Sequence, residues 1–132
     1  MPALLSLDEA SQVALFTFAG VVTDRDILDG FRAIRGWMAT NGPVSSITDF
    51  SAVTEFSVTS QAVNFLAAQP PLVPDGYLRI VVAPRDEIFG MARMFEMLGS
   101  STRASVQVVR LLGEAHALLG REHFEFHPLL EL

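Results

Sequence analysis

Few residues in this chain have types and spacing suited to chemistry. His123-Phe-Glu125-Phe-His127 is the one metal-like spacing. In an extended segment, residues two apart share a face, so two imidazoles and a carboxylate would meet there and suit zinc. Against this, a terminal segment rarely supplies the hydrogen-bonded support that a metal-bound imidazole needs. The simpler expectation is that Phe124 and Phe126 dock the segment onto the domain or a neighbour, with no metal and no cofactor. Ser57, Thr59 and Ser60 form a hydroxyl cluster. A phosphate there would sit among the N–H groups of a helix N-terminus, but the same residue types are also ordinary helix caps. Asp49 is expected at the carboxyl end of a parallel strand, where open α/β sheets bind ligands. Its plain role is to accept N–H bonds from the following loop.

A second group of residues is suited to apolar contact. Met91, Met94 and Met97 fan across one broad helix face. With Phe50, Phe56 and Phe95 they would line a lipid-like pocket or a dimer seam, or pack as ordinary core. Arg93 would hold an anion at the pocket mouth, or pair with Glu96 or Glu87. Nucleophilic catalysis has little to work with. Gly-x-Ser-x-Gly is absent, there is no Gly-rich phosphate loop, and the chain has no Cys and no Lys. His116 reads as a residue of the last helix. Asp24 and Asp26 are accounted for by a helix dipole.

The elements that must position these groups alternate. Leu4–Leu7 and Val13–Phe18 read as a hairpin, the second strand carrying two aromatic residues. Thr23 opens a helix with Asp26 at its third position, a capping-box pattern. Ile27, Phe31, Ile34 and Met38 follow at helical spacing, and Asn41-Gly42-Pro43 stops the run. Val44–Asp49 reads as a strand, Phe50–Val58 as a loop, and Thr59 or Ser60 as the cap of a helix to Ala68. A Pro-rich connection precedes the strand Tyr77–Ala83, whose nearly continuous apolar run predicts burial on both faces. Asp86 is expected to cap a helix to Leu98, closed by Gly99. Val106–Leu111 reads as the last strand and Leu112–Leu119 as a final helix. The order β-β-α-β-α-β-α-β-α predicts an α/β fold with a mixed, mostly parallel sheet of four or five strands flanked by helices. Residues 1–120 read as one domain and 121–132 as a C-terminal tail.

Size and charge bound the rest. A chain of 14.4 kDa should fold to about 6,800 Å² of accessible surface, which suits one domain. With a net charge of −6 and no basic run, nucleic acid is not an expected partner. Met1-Pro-Ala-Leu-Leu-Ser-Leu lacks the basic start of a signal peptide, and no apolar run is long enough to span a membrane. The expectation is a soluble cytoplasmic protein.

Four pieces of this pattern resemble the STAS superfamily, in particular its small SpoIIAA-like (STAS/SEC14-type) bacterial members. They are Phe18-Ala-Gly-Val-Val-Thr23 before a helix beginning Asp24-Arg-Asp-Ile-Leu, and a strand ending Asp49-Phe50-Ser51 with Val53-Thr54-Glu55-Phe56 after it. The others are Ile80-Val-Val-Ala-Pro84 leading into Asp86–Phe95, and Val106–Arg110 leading into Glu114-Ala115. The resemblance spans residues 12–119. It implies a four- or five-stranded mixed sheet and a regulatory domain that binds a partner and has no enzyme activity of its own. Regulatory members carry a phosphorylated Ser or Thr in a pattern resembling Asp-Ser-Ser/Thr-Gly. Phe56-Ser57-Val58-Thr59-Ser60 lacks both the Asp and the Gly. Two functions therefore stand open. One is protein-partner binding through 49–60 and the start of helix 86–98, switched by phosphorylation at Ser57, Thr59 or Ser60. The other is carriage or sensing of a small apolar ligand by Phe56, Met91, Met94 and Phe95. Exposed Met and Phe side chains would also suit a homodimer.

Overall fold

The computed structural model describes residues 3–99 and 106–132. The chain begins with a hairpin of β1 (Ala3–Asp8) and β2 (Val13–Thr23), paired from Ala3↔Phe18 to Asp8↔Val13. Asp8 Oδ1 shapes the turn by accepting the N–H groups of Ala10 and Ser11. Helix α1 (Asp24–Asn41) starts as its sequence specifies. Asp26 N–H donates to Thr23 Oγ1, and Thr23 N–H donates back to the Asp26 carboxylate. Its buried stripe is Ile27, Gly30, Ile34 and Met38, and Gly42 ends it at φ 92°, donating to Met38 O.

The chain continues through β3 (Ser45–Ser57), α2 (Ser60–Ala67), β4 (Arg79–Val82), α3 (Asp86–Leu98), β5 (Val106–Val109), α4 (Leu112–Leu118) and β6 (His127–Glu131). The architecture is α/β, a six-stranded mixed sheet of order β5-β4-β3-β2-β1-β6 flanked by four helices among the described residues. Strands β2 to β5 are parallel, while β1 runs antiparallel to both β2 and β6.

Three expectations are corrected. The sheet has six strands, not four or five mostly parallel ones, because the segment beyond residue 120 returns to pair with β1. All of β6 is exposed and it contains Pro128, so it carries no apolar alternation that a sequence pattern would show. Second, 50–58 is not a free loop. β2 and β3 run on together as an arm to the pairs Val22↔Phe56 and Thr23↔Ser57, past register shifts beside Gly20. Gly20 sits at φ 71°, a left-handed value that eases such a kink. Third, Asp86 does not cap α3. Arg85 occupies that position without a side-chain capping bond, and Asp86 pairs instead with Arg110 at 2.8 Å.

Each strand from β2 to β5 is added beside the last, and three of the helices cover one face. On that face α1, α2 and α3 bury Phe16, Phe18, Phe50 and the inner residues of β1. The opposite face holds a small core of Ile47, Ile80, Val82 and Ala115 under α4. From α4 the chain crosses below this second face to the far edge of the sheet. Phe124 packs on His116 (4.9 Å between centroids) and stacks on Phe126, and Glu125 N–H donates to buried Asp8. Among the described residues, no helix is long and apolar enough to cross a membrane.

Candidate functional site

Side chains alternate across a strand, so Thr48 and Phe50 of β3 and Arg79 and Val81 of β4 share the face beneath the three helices. There they floor a cavity of about 60 Å³ that is open to solvent on one side. Ile27 and Phe31 of α1, with Val63 and Leu66 of α2, make one wall. Ile88, Met91, Ala92 and Phe95 of α3 make the other, and Phe56 and Val58 close the rim. The helix contributions recur at three- and four-residue steps, the spacing that puts residues on one face of a helix.

Aromatic rings frame the space. Phe18 stacks on Phe50 at 5.1 Å, and Phe50 meets Phe56 edge-on at 5.8 Å, carrying a line of rings from the deep core to the rim. Across the floor, Phe31 and Phe95 meet edge-on at 5.8 Å. The Arg79 guanidinium lies over both, 5.2 Å from one centroid and 5.7 Å from the other. That spacing is within the range of a cation–π contact. Only 7% of Arg79 is exposed. Among the described lining residues it is the one charged side chain, and it makes further interactions within the protein.

The rim is tied together from the α3 side. Arg85 Nη1 donates to Thr54 O at 2.7 Å and to Val53 O at 3.3 Å, and its other terminal nitrogen pairs with Glu87. The arm of β3 and the start of α3 therefore sit side by side, and Phe56, Met91 and Phe95 face one cavity.

The remaining candidates disperse. Met94 packs against the core outside the lining, and Met97 is exposed. Arg93 pairs with Glu96 at 2.8 Å and is not a lining residue. Asp49 shares the parity of Ile47, on the side away from the cavity, and its Oδ1 accepts both the N–H and the hydroxyl of Ser51. It ties down its own strand rather than projecting into the pocket. Ser57 Oγ donates to Glu55, and Ser60 is exposed at the start of α2. Thr59 is the cap of α2. Its Oγ1 accepts from Ala62 N–H and donates to Asp24 at 2.7 Å, while its N–H donates to the same carboxylate. A phosphate on Thr59 would meet the Asp24 charge at once. His123, Glu125 and His127 are exposed, and among the described residues no three His, Cys, Asp or Glu are gathered to hold a metal ion.

Sequence reasoning missed Arg79. The signal was present: a lone cation inside Tyr77–Ala83, a strand otherwise apolar enough to be buried on both faces. A charge in such a strand has to be accommodated by its surroundings, and two rings lie against it here. No protein-family model matches the chain, and no curated protein matches it either.

Proposed function

We propose that this chain is a non-catalytic binding domain that takes a small apolar molecule into the cavity beneath α1, α2 and α3. The observation that carries the reading is the lining, which is apolar apart from Thr48 and Arg79. A guanidinium stays protonated at neutral pH and a threonine hydroxyl needs an adjacent base to react, so this set is suited to holding a molecule rather than transforming it. Apolar cavities exclude water and accept apolar guests, and the flexible Met91 side chain lets the wall adapt to them. The resemblance to the STAS superfamily, which implies a domain that binds a partner and has no enzyme activity of its own, supports the non-catalytic part of the reading.

Docking of a protein partner on the rim is the second reading. It is favoured by the Arg85 clamp, which joins 53–54 to the start of α3 in one surface.

Titrating the protein with hexan-1-ol while following backbone amide signals distinguishes the two. Under the first reading the signals of Phe56, Val81, Met91 and Phe95 shift together and saturate, and the melting temperature rises with probe concentration. Ala92→Leu fills the cavity, so it abolishes those shifts without lowering the melting temperature. Unmoved lining signals at saturating probe, in a protein that folds normally, would overturn the pocket reading.

A further inference from the structure

We infer that the cavity takes its ligand tail-first: the unbranched alkyl end of a short-chain amphiphile enters between the helices, and the polar head stays at the mouth beside Phe56 and Met91. The inference rests on the pocket reading above and specifies the class of ligand and its direction of entry.

Polarity sets the direction. The lining is apolar apart from Thr48 and Arg79. Arg79 already interacts within the protein, and Thr48 brings a single hydroxyl. A polar head pushed to the floor would give up its bonds to water and regain little, which burial penalises. A hydrocarbon end gives up no such bonds and gains by leaving water. Burial sorts the lining in the same direction. Ile27, Phe50, Val63 and Ile88 are buried, whereas Phe31, Phe56, Met91 and Ala92 are half-buried. The head therefore lies on the side of Phe56 and Met91, where water reaches it.

Size sets the class. A cavity of about 150 Å³ takes a six-carbon ring. The space here is about 60 Å³, so in proportion it encloses about two to three carbons. The end of a straight chain meets that limit, and a ring or a tert-butyl end exceeds it. Aromatic walls hold the limit in place. Phe31 packs edge-on against Phe95, and Phe50 against Phe56, each pair at 5.8 Å. Widening the space would cost these ring contacts. A long acyl chain would leave most of its carbons in water, so a short chain suits the site.

Hexan-1-ol and its isomer 3,3-dimethylbutan-1-ol test this reading, since they share composition and head and differ only in the shape of the tail. Amide shifts give both dissociation constants. Hexan-1-ol should bind about tenfold more tightly, since the branched end leaves roughly two methylene-sized groups outside, at about fourfold each. Intermolecular nuclear Overhauser contacts read the direction. The terminal methyl of hexan-1-ol should lie against Phe50, Val63 and Ile88, and its oxygen-bearing methylene near Phe56 and Met91. Val81→Ala adds room on the floor and should bring the two isomers closer in affinity. Wild-type protein supplies the affinities and the contacts without a variant that might misfold. Equal or tighter binding of the branched isomer by the wild type would overturn the inference and leave the apolar pocket standing. Contacts from the oxygen-bearing methylene to Ile88, or an unchanged preference in folded Val81→Ala, would also overturn it. Absence of binding by either alcohol would overturn both readings.

Discussion

The two faces of the sheet are built to different standards. One carries three helices, a ladder of phenylalanines and a cavity. The other carries the seven-residue α4 and a crossing segment over a core of Ile47, Ile80, Val82 and Ala115. On the thick face α1 approaches so closely that Gly30 lies against Phe16 and Phe18. Among the described residues the thin face has no comparable contact, because Ala115 and its neighbours meet β4 with small and branched side chains. Tight packing and an open cavity coexist on the thick face because they occupy different parts of it. Phe16 and Phe18 of β2 take the close approach of α1, while Phe50, Arg79 and Val81 floor the space that remains further across the sheet.

Matched truncations would break this comparison if it is wrong. Phe18 and Ile80 are each 1% exposed, one on each face. Phe18→Ala removes a ring stacked on Phe50 and tilted against Phe16 at 4.8 Å, where three helices hinder collapse. It should cost about 3–5 kcal/mol. Ile80→Ala opens space beneath a short helix that can settle, so its cost should fall near about 2 kcal/mol. Urea unfolding with unchanged slope reads the difference. A larger loss for Ile80→Ala than for Phe18→Ala would remove the distinction between the faces.

The two glycines of α1 sharpen the comparison within one helix. A Cβ at Gly30 would lie 2.8 Å from Phe18 Cζ and 3.0 Å from Phe16 Cζ, whereas one at Gly36 meets nothing within 4 Å. Alanine is favoured over glycine inside a helix by about 1 kcal/mol. Gly36→Ala should gain most of that and raise the melting temperature. Gly30→Ala should lose stability by about 1 kcal/mol net, because rings buried on both sides cannot yield without disturbing Phe50. Stabilisation by both substitutions would show that α1 does not press on β2.

These contrasts also explain what the sequence disclosed. Helix α1 was legible from Thr23 to Gly42 because its cap, its apolar spacing and its stop signal are local. So was the meeting of Phe56 with the start of α3, which follows from strand–helix alternation. The length of β3 was not legible. Ser51, Thr54 and Glu55 are exposed, and among the described residues the arm is paired only with β2. β6 was hidden for a related reason: an edge strand with every residue exposed has no buried face to impose an alternating pattern. Arg79 was hidden because whether a charge is buried depends on Phe31 and Phe95, which are remote in sequence.

The thin face has one specific latch, Asp8, and it gives the most local of these effects. Asp8 is 2% exposed. Burial opposes its ionisation, but the N–H groups of Glu125, Ser11 and Ala10, with the charge of Arg121, outweigh that opposition and hold its carboxyl below the ordinary 3.8. The ionised form is thus preferred more strongly in the folded chain than in the unfolded one. Its contribution is complete above that ordinary value and is lost as pH falls through the lower folded value. Hydrogen exchange at His127–Glu131 should therefore accelerate in acid before exchange in β2 and β3 does. Asp8→Asn should loosen β6 even at neutral pH, because one amide oxygen cannot accept both the turn N–H groups and that of Glu125. The large core under α1, α2 and α3 does not depend on this latch, so its protection should survive the substitution. Joint loss of protection in both regions would mean that the tail belongs to the same cooperative unit as the pocket face, and that the two faces are not independent.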